Sequence, residues 1–394
     1  MSPALPGASL ADTLAIARQL SPDLAARALD TEAAQARVRI AGSLPDPTLH
    51  VTSDEIDRTS GPRQNKMIYG VEQSIPLWGK RGLSEDMALA SVDQTRADAR
   101  ETENELIEKV KVAFAQYYQT DQSIRTTEKL HQAVHGIAIA ARDRYAQGLG
   151  SQQDVYGTEV ESVRFMAELV RLSAARRAAA GRLNALLARP IEAPLATPSF
   201  PRVIPPVADL DPDALLDRTR ASNPTLASDQ ALIAAALANR ALAGKSWYPD
   251  VTVGAGYIDR TGNGPNGYTA TIGFQVPLEW GLHQAQEHEA AAALAADQAR
   301  KRSRELAIEG DLAEAVASLK GSEQTATLIK TQLLPQSEAM FQSGVASYGF
   351  GKVSLTDVLR AEHDLVDLRT ELLSTEFDEQ RQLATIERLI GGDL

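Results

Sequence analysis

Cysteine is absent from this 394-residue chain. Its absence excludes disulfides, thiolate metal sites and cysteine nucleophiles, and removes the usual attachment point of a lipoprotein anchor. No run of about 18 apolar residues occurs, so no transmembrane helix is expected. No signal-peptide pattern is visible: Met1-Ser2-Pro3 leads directly into polar and helical sequence, so an exported protein would be read here in its mature form. Positive charge is in deficit. The formal net charge is -12, no basic patch offsets it, and nucleic acid is not an expected partner. The acidity suits plain solubility or a conduit for cations. G-x-S-x-G, H-E-x-x-H and Walker A patterns are missing as well. Gly262-Asn263-Gly264 falls in a loop between two strand patterns, the wrong context for phosphate binding. Neither an enzyme nor a cofactor is expected.

Aromatic residues make up only 5% of the chain, while apolar residues reach 43%. Alanine, leucine, glutamate, glutamine and arginine dominate long stretches, which favours extended helices over a compact mixed core. The chain also repeats itself at an offset of about 202 positions. Pro22-Asp23-Leu24 answers to Pro224-Thr225-Leu226, and Gly42 to Gly244. Asp57-Arg58-Thr59 recurs as Asp259-Arg260-Thr261, and Ile75-Pro76-Leu77-Trp78-Gly79 as Val276-Pro277-Leu278-Glu279-Trp280-Gly281. Asp154-Val155 answers to Asp357-Val358. So many landmarks in one order point to duplication. The first repeat is residues 1–189 and the second 210–394. Between them, 190–209 holds six prolines, from Pro190 to Pro206, and reads as a linker.

Each repeat reads as helix, hairpin, very long helix and return helix. In the first these are 10–42 (with a break near Ser21-Pro22), about 47–77, 79–146 and 152–188. In the second they are 212–244, about 249–278, 281–341 and 355–390. Val251, Val253, Ala255 and Tyr257 alternate with Thr252, Gly254 and Gly256; Tyr268, Ala270, Ile272 and Phe274 alternate with Thr269, Thr271 and Gly273. Strands of about ten residues span a bilayer when tilted. One apolar and one small or polar face suits a barrel wall, although a half-buried soluble hairpin has the same period. Trp78, Trp247 with Tyr248, and Trp280 mark the helix end of the hairpins, and Tyr257 and Tyr268 the loop end, as membrane-interface aromatics do. The proline-free run after Trp78 would make a helix of roughly 100 Å, longer than any compact domain holds. Leu106, Val110, Phe114 and Tyr117 step along it in coiled-coil fashion.

Four strands cannot close a membrane barrel, and an open sheet edge cannot face lipid. Three copies would supply twelve strands and an aqueous lumen. The chain resembles the TolC-type outer-membrane efflux channels over about residues 10–390. The resemblance rests on the duplication, on Ile75-Pro76-Leu77-Trp78-Gly79-Lys80-Arg81, and on the glycine turns that lead into Asp154-Val155 and Asp357-Val358. With Leu44-Pro45-Asp46-Pro47, the segment Pro76–Arg81 is most similar to the outer-membrane components of cobalt–zinc–cadmium and copper–silver resistance-nodulation-division efflux systems.

The resemblance implies a mostly α homotrimer, with a helical barrel in the periplasm and a shared 12-stranded β-barrel in the outer membrane. It implies a passive exit duct for heavy-metal cations, served by a periplasmic adaptor (membrane fusion) protein and an inner-membrane pump, with outer-membrane lipid around the barrel. The two glycine turns would form the adaptor-docking periplasmic tip: Gly148, Leu149, Gly150, Ser151 and Gln152, then Gly344, Val345, Gly351, Lys352, Val353 and Ser354. The second turn reads as several residues longer than the first, so the two need not dock alike. Asp143, Asp154, Glu338 and Asp357 are candidates for a cation-selective lumen gate. His131 with His135, and His283 with His288, are candidate metal transit positions, against which stands the reading of solvated helix histidines; His50 and His363 have no evident partner in the sequence. Two alternatives stand: a drug-efflux or type I secretion duct of the same family, and a soluble coiled-coil scaffold.

Overall fold

A computed structural model describes residues 5–56, 64–206, 210–261 and 265–394. The repeat marker Asp57-Arg58-Thr59, the loop residues Gly262–Gly264 and the last three linker positions lie outside them. In chain order the elements are α1 (Leu10–Leu20), α2 (Pro22–Gly42), β1 (Thr48–Ile56), β2 (Gln64–Ile75), α3 (Lys80–Ala146), α4 (Gln152–Leu186), α5 (Pro212–Ser222), α6 (Pro224–Gly244), β3 (Asp250–Thr261), β4 (Gly267–Gln275), α7 (Trp280–Leu328), α8 (Leu334–Gly349) and α9 (Leu355–Leu389). Two compact units result. One comprises residues 1–25, 100–223 and 306–394; the other, 26–99 and 224–305. The compact units are therefore not the two sequence repeats, since each takes segments from both.

Helix boundaries follow local chemistry. Ser9 caps α1 by accepting from the Asp12 N–H, and Ser21 does the same for Leu24 one residue before Pro22. The stretch 10–42 is thus two helices, because Pro22 has no N–H to continue the first. Asn223-Pro224 repeats the break between α5 and α6, where the Asn223 side chain donates to the Leu389 carbonyl. The long helix of the second repeat does not stop at 341. It passes through one π-helical turn, Ile329–Leu333, and continues as α8 to Gly349. Pro335 cannot donate to the preceding turn, and the wider turn takes up the mismatch.

In the first of these units, apolar clusters of described residues form the core. Leu106, Val110, Phe114 and Tyr117 of α3 pack with Ala17 of α1 and Leu183 of α4. Further along α3, Leu130, Val134 and Ile137 pack with Phe165 of α4, Phe341 of α8 and Val358 of α9. Each such fully buried side chain contributes about 1.5–3 kcal/mol. The described part of the linker is docked here rather than free. Asn184 donates to the carbonyls of Ile191 and Ala193, Phe200 meets Tyr118 edge-on, and Arg202 pairs with Glu387 at 2.6 Å.

The other unit holds one antiparallel sheet in the order β1-β2-β3-β4. Its register pairs Leu49 with Val71, Tyr69 with Tyr257, and Val253 with Ile272. No helix among the described residues is long and apolar enough to cross a membrane.

Candidate functional site

Because side chains alternate along a strand, the register collects Leu49, Val51, Tyr69, Val71, Val253 and Ile272 on one face of the sheet. All six are exposed, Ile272 at 69%. The opposite face carries mainly threonine and glycine, among them Thr52, Gly70, Gly254, Gly256 and Thr271, together with His50 and Glu72 and, toward the loop end, Ile68 and Ile258. A continuous exposed apolar face on a sheet with two open edges has no place in water.

Both ends of that face are aromatic. Tyr69, Tyr257 and Tyr268 form a row across three strands, the last two with ring centroids 5.8 Å apart. At the helix end Trp78 lies 5.2 Å from Tyr248 and donates its indole N–H to the Pro249 carbonyl. Trp78 and Gly79 both take positive φ, which turns β2 sharply into α3. Lys80 fastens the corner with a 2.9 Å ion pair to Asp250. Trp280 is exposed, whereas Trp247 donates to Glu287 and its ring meets His283. Alternation with Met67, Val71 and Ile75 already marks Tyr69 as a strand residue in the sequence, and the register with Tyr257 brings it into the aromatic row.

The two glycine turns lie in the other unit and have the same form. Residues 147–151 separate α3 from α4, and residues 350–354 separate α8 from α9. Gly148 and Gly351 adopt φ of +74° and +71°, the left-handed conformation that ends a helix. Ser151 and Ser354 then cap the next helix by accepting from the Asp154 and Asp357 N–H groups. The expected longer second turn is therefore corrected. Gly344 and Val345 are helical, within α8, and Gly344 lies opposite Val358 of α9, so this glycine belongs to the helix rather than to a turn. Leu149 is exposed at the first apex, and Phe350, which the sequence reading left out of the site, is 83% exposed at the second.

A tie joins the two turns. Arg144, near the end of α3, donates to the carbonyls of Leu149 and Tyr348 and lies 4.9 Å from the centre of the Tyr348 ring. The Tyr348 hydroxyl donates to Asp154 at 3.3 Å. Burial, with the Asp154 carboxylate beside it, pushes the Tyr348 phenol up from its ordinary range. Of the four acidic gate candidates, Asp154 and Asp357 serve as helix-start partners of Ser151 and Ser354. Glu338 pairs with Arg369 at 2.7 Å, and Asp143 is exposed.

The four candidate transit histidines are spread over α3 and α7. His131 meets Ser162 at 3.1 Å and His135 is exposed; His283 lies against Trp247 and His288 is exposed. None of them belongs to a group of three ligating side chains. Among the described residues that arrangement occurs at Glu161, Glu362 and His363. His363 does have partners, which only packing could bring to it. His50 has its ring over Gly70, where any side chain would collide with it.

A helical chain with a four-stranded sheet, one face exposed and apolar and the other mostly small and polar, has the features of a protomer of an outer-membrane channel. Residues 13–189 and 215–392 match the outer membrane efflux protein family, and the chain belongs to that family. It is an outer-membrane channel protein rather than an enzyme. It is 23% identical over 389 residues to the cobalt-zinc-cadmium resistance protein CzcC of Cupriavidus metallidurans, covering 97% of this chain and 90% of that protein. It is 24% identical over 405 residues to the pyoverdine export outer membrane protein OpmQ of Pseudomonas putida, covering 96% and 84%. The fold is that of the outer-membrane protein VceC from Vibrio cholerae (TM-score 0.83, 18% identity, 98% and 96% covered) and of CusC (TM-score 0.84, 15% identity, 98% and 92% covered).

Proposed function

We propose that the chain is one protomer of a homotrimeric exit duct in a tripartite efflux system. The observation that carries this reading is the open sheet with an exposed apolar face. Each unpaired backbone group in lipid costs several kcal/mol, so both edges, β1 and β4, must pair with further strands. Three protomers supply twelve strands, enough for a water-filled bore lined by the threonine and glycine face. The sequence repeats 1–189 and 210–394 then act as two quasi-equivalent segments of the wall.

A second observation supports association through the helices. Tyr156, Val160, Val163, Met166 and Val170 form a stripe along α4, spaced four, three, three and four, with exposures of 48–69% in the single chain. A second copy of the chain is the natural cover for it.

The paired turns at 147–151 and 350–354 are the docking tip for a periplasmic adaptor, with Leu149 and Phe350 as apolar apices. Nothing in the duct itself uses energy; an inner-membrane pump supplies it. The cargo we assign is a heavy-metal cation, supported by the CzcC relative and by an acidic chain. The OpmQ relative, matched about as well, keeps the export of a small organic molecule as a second reading of cargo on the same architecture.

Two measurements test this. Membrane fractionation, followed by sizing in mild detergent, should place a trimer in the outer membrane; a monomer in the soluble fraction would refute the duct. A deletion strain should then be more sensitive to cobalt, zinc or cadmium salts, and an unchanged metal tolerance with lost siderophore or drug export would transfer the cargo to the second reading.

A further inference from the structure

We propose that Glu161 of α4 with Glu362 and His363 of α9 bind a resident divalent transition-metal ion that pins the two helices together. The site goes beyond the duct reading and does not depend on which cargo the duct carries.

The donor atoms of the three side chains all lie within 4.8 Å of one another. Glu161 Oε1 is 3.1 Å from His363 Nε2, and Glu362 Oε2 is 3.5 Å from the same nitrogen. Glu362 is the telling member. It is 0% exposed, and neither of its carboxylate oxygens has a hydrogen-bond partner among the described residues. A buried carboxylate left this way costs several kcal/mol unless something positive meets it. His363 does not supply that alone: it stands near only one of the two oxygens and already meets Glu161. Protonation of Glu362 would remove the charge, yet would still leave its carbonyl oxygen without a donor. A cation satisfies both carboxylates at once.

The surroundings fit an ion. Glu161 keeps its other oxygen on Arg164 at 3.2 Å, which orients the carboxylate from outside the first ring of ligands. The cluster borders a cavity of about 330 Å³ that also touches Ser123, Thr126 and Asp367. His363 is 47% exposed, so one side of the site is open to entry and to a water ligand. Metal bonds of about 2.0–2.2 Å place ligands roughly 3–4 Å apart, so donor atoms that now lie within 4.8 Å of one another need close in by at most about 1–2 Å. One imidazole nitrogen and two carboxylates without a thiolate select zinc, cobalt or nickel over soft ions such as copper(I).

The test is zinc titration calorimetry on the full-length protein in mild detergent, after treatment with EDTA, alongside cobalt(II) absorption. Wild type should bind one zinc per protomer and should melt at a higher temperature with zinc than in EDTA. Glu362→Gln and His363→Ala should each weaken binding at least about 10-fold and lose the zinc-dependent rise in melting. Glu362→Gln should melt no lower than wild type in EDTA, since it removes the unmatched charge. His363 is half exposed, so its variant decides the matter should the glutamine variant fail to fold. Absence of stoichiometric zinc in wild type, or equal binding by His363→Ala, would overturn the site.

Discussion

At the scale of single residues, Arg144, Tyr348 and Asp154 carry more consequence than any of the glycines around them. Arg144 ends α3, Asp154 begins α4 and Tyr348 ends α8. The three therefore bind the α3–α4 pair to the α8–α9 pair, and one pair cannot move from the other while they hold. Tyr348→Phe removes one long hydrogen bond. Asp154 keeps its bond from Ser151 at 2.9 Å, so no buried charge is orphaned. The cost should fall at the low end for such bonds, about 0.5–1 kcal/mol, or roughly two- to fivefold in the balance between tied and untied turns. Arg144→Ala should act more strongly, because it frees two carbonyls and the ring contact together. Single-channel recording in planar bilayers should show open probability rising in the order wild type, Tyr348→Phe, Arg144→Ala. Equal openings in all three would mean that the tie does not restrain the tip. None of this was legible beforehand. Arg144 and Tyr348 are about 200 positions apart, and only the packing of α8 on α3 and α4 unites them. The same is true of Glu161 with His363. Helix periodicity records which residues face inward, not which inward residues meet.

At the scale of elements, alternation and glycine placement carry the sheet. Val251, Val253 and Ala255 alternate cleanly with Thr252, Gly254 and Gly256, and β3 pairs on both sides in the register this pattern allows. Strands were legible because a period of two survives any tertiary arrangement. The second turn was misread for a physical reason. Glycine occurs inside helices as well as at their ends, and Gly344 lies within α8 while Gly351, with its positive φ, follows its end. A sequence does not print φ. The two faces of β4 make opposite predictions. Ile272→Arg sets a charge on the lipid-like face near mid-strand, where the cost is about 2–4 kcal/mol in each copy. Thr271→Arg, one residue away, sets the same charge on the polar face. Heat resistance of the trimer on gels should fall sharply for Ile272→Arg and stay near wild type for Thr271→Arg. Ion selectivity should shift toward anions in the second variant. A reversed order would place the lumen on the wrong side of the sheet.

At the scale of the whole molecule, the duct requires that copies of the chain recognise one another through helices as well as through strand edges. The four strands explain closure in lipid, but backbone pairing at β1 and β4 carries little information about which neighbour is correct. The stripe of Tyr156, Val160, Val163, Met166 and Val170 is where side chains can supply it. Its spacing keeps it on one face over about four turns of α4, and the opposite face of that helix is already filled by Phe165 and its neighbours. Val163 lies near the middle of the stripe. Val163→Ala removes two methyl-sized groups per copy, a loss of about 1–1.5 kcal/mol at each interface. A trimer should survive that change with a lower melting temperature. Val163→Lys places an unpaired ammonium in a closed apolar contact, which costs several kcal/mol in each of the three interfaces. Its sedimentation in mild detergent should shift from trimer to monomer, and circular dichroism should keep the helical content, because Val163 is exposed in the single chain. Trimers of unchanged stability in both variants would mean that the stripe faces something other than a second copy.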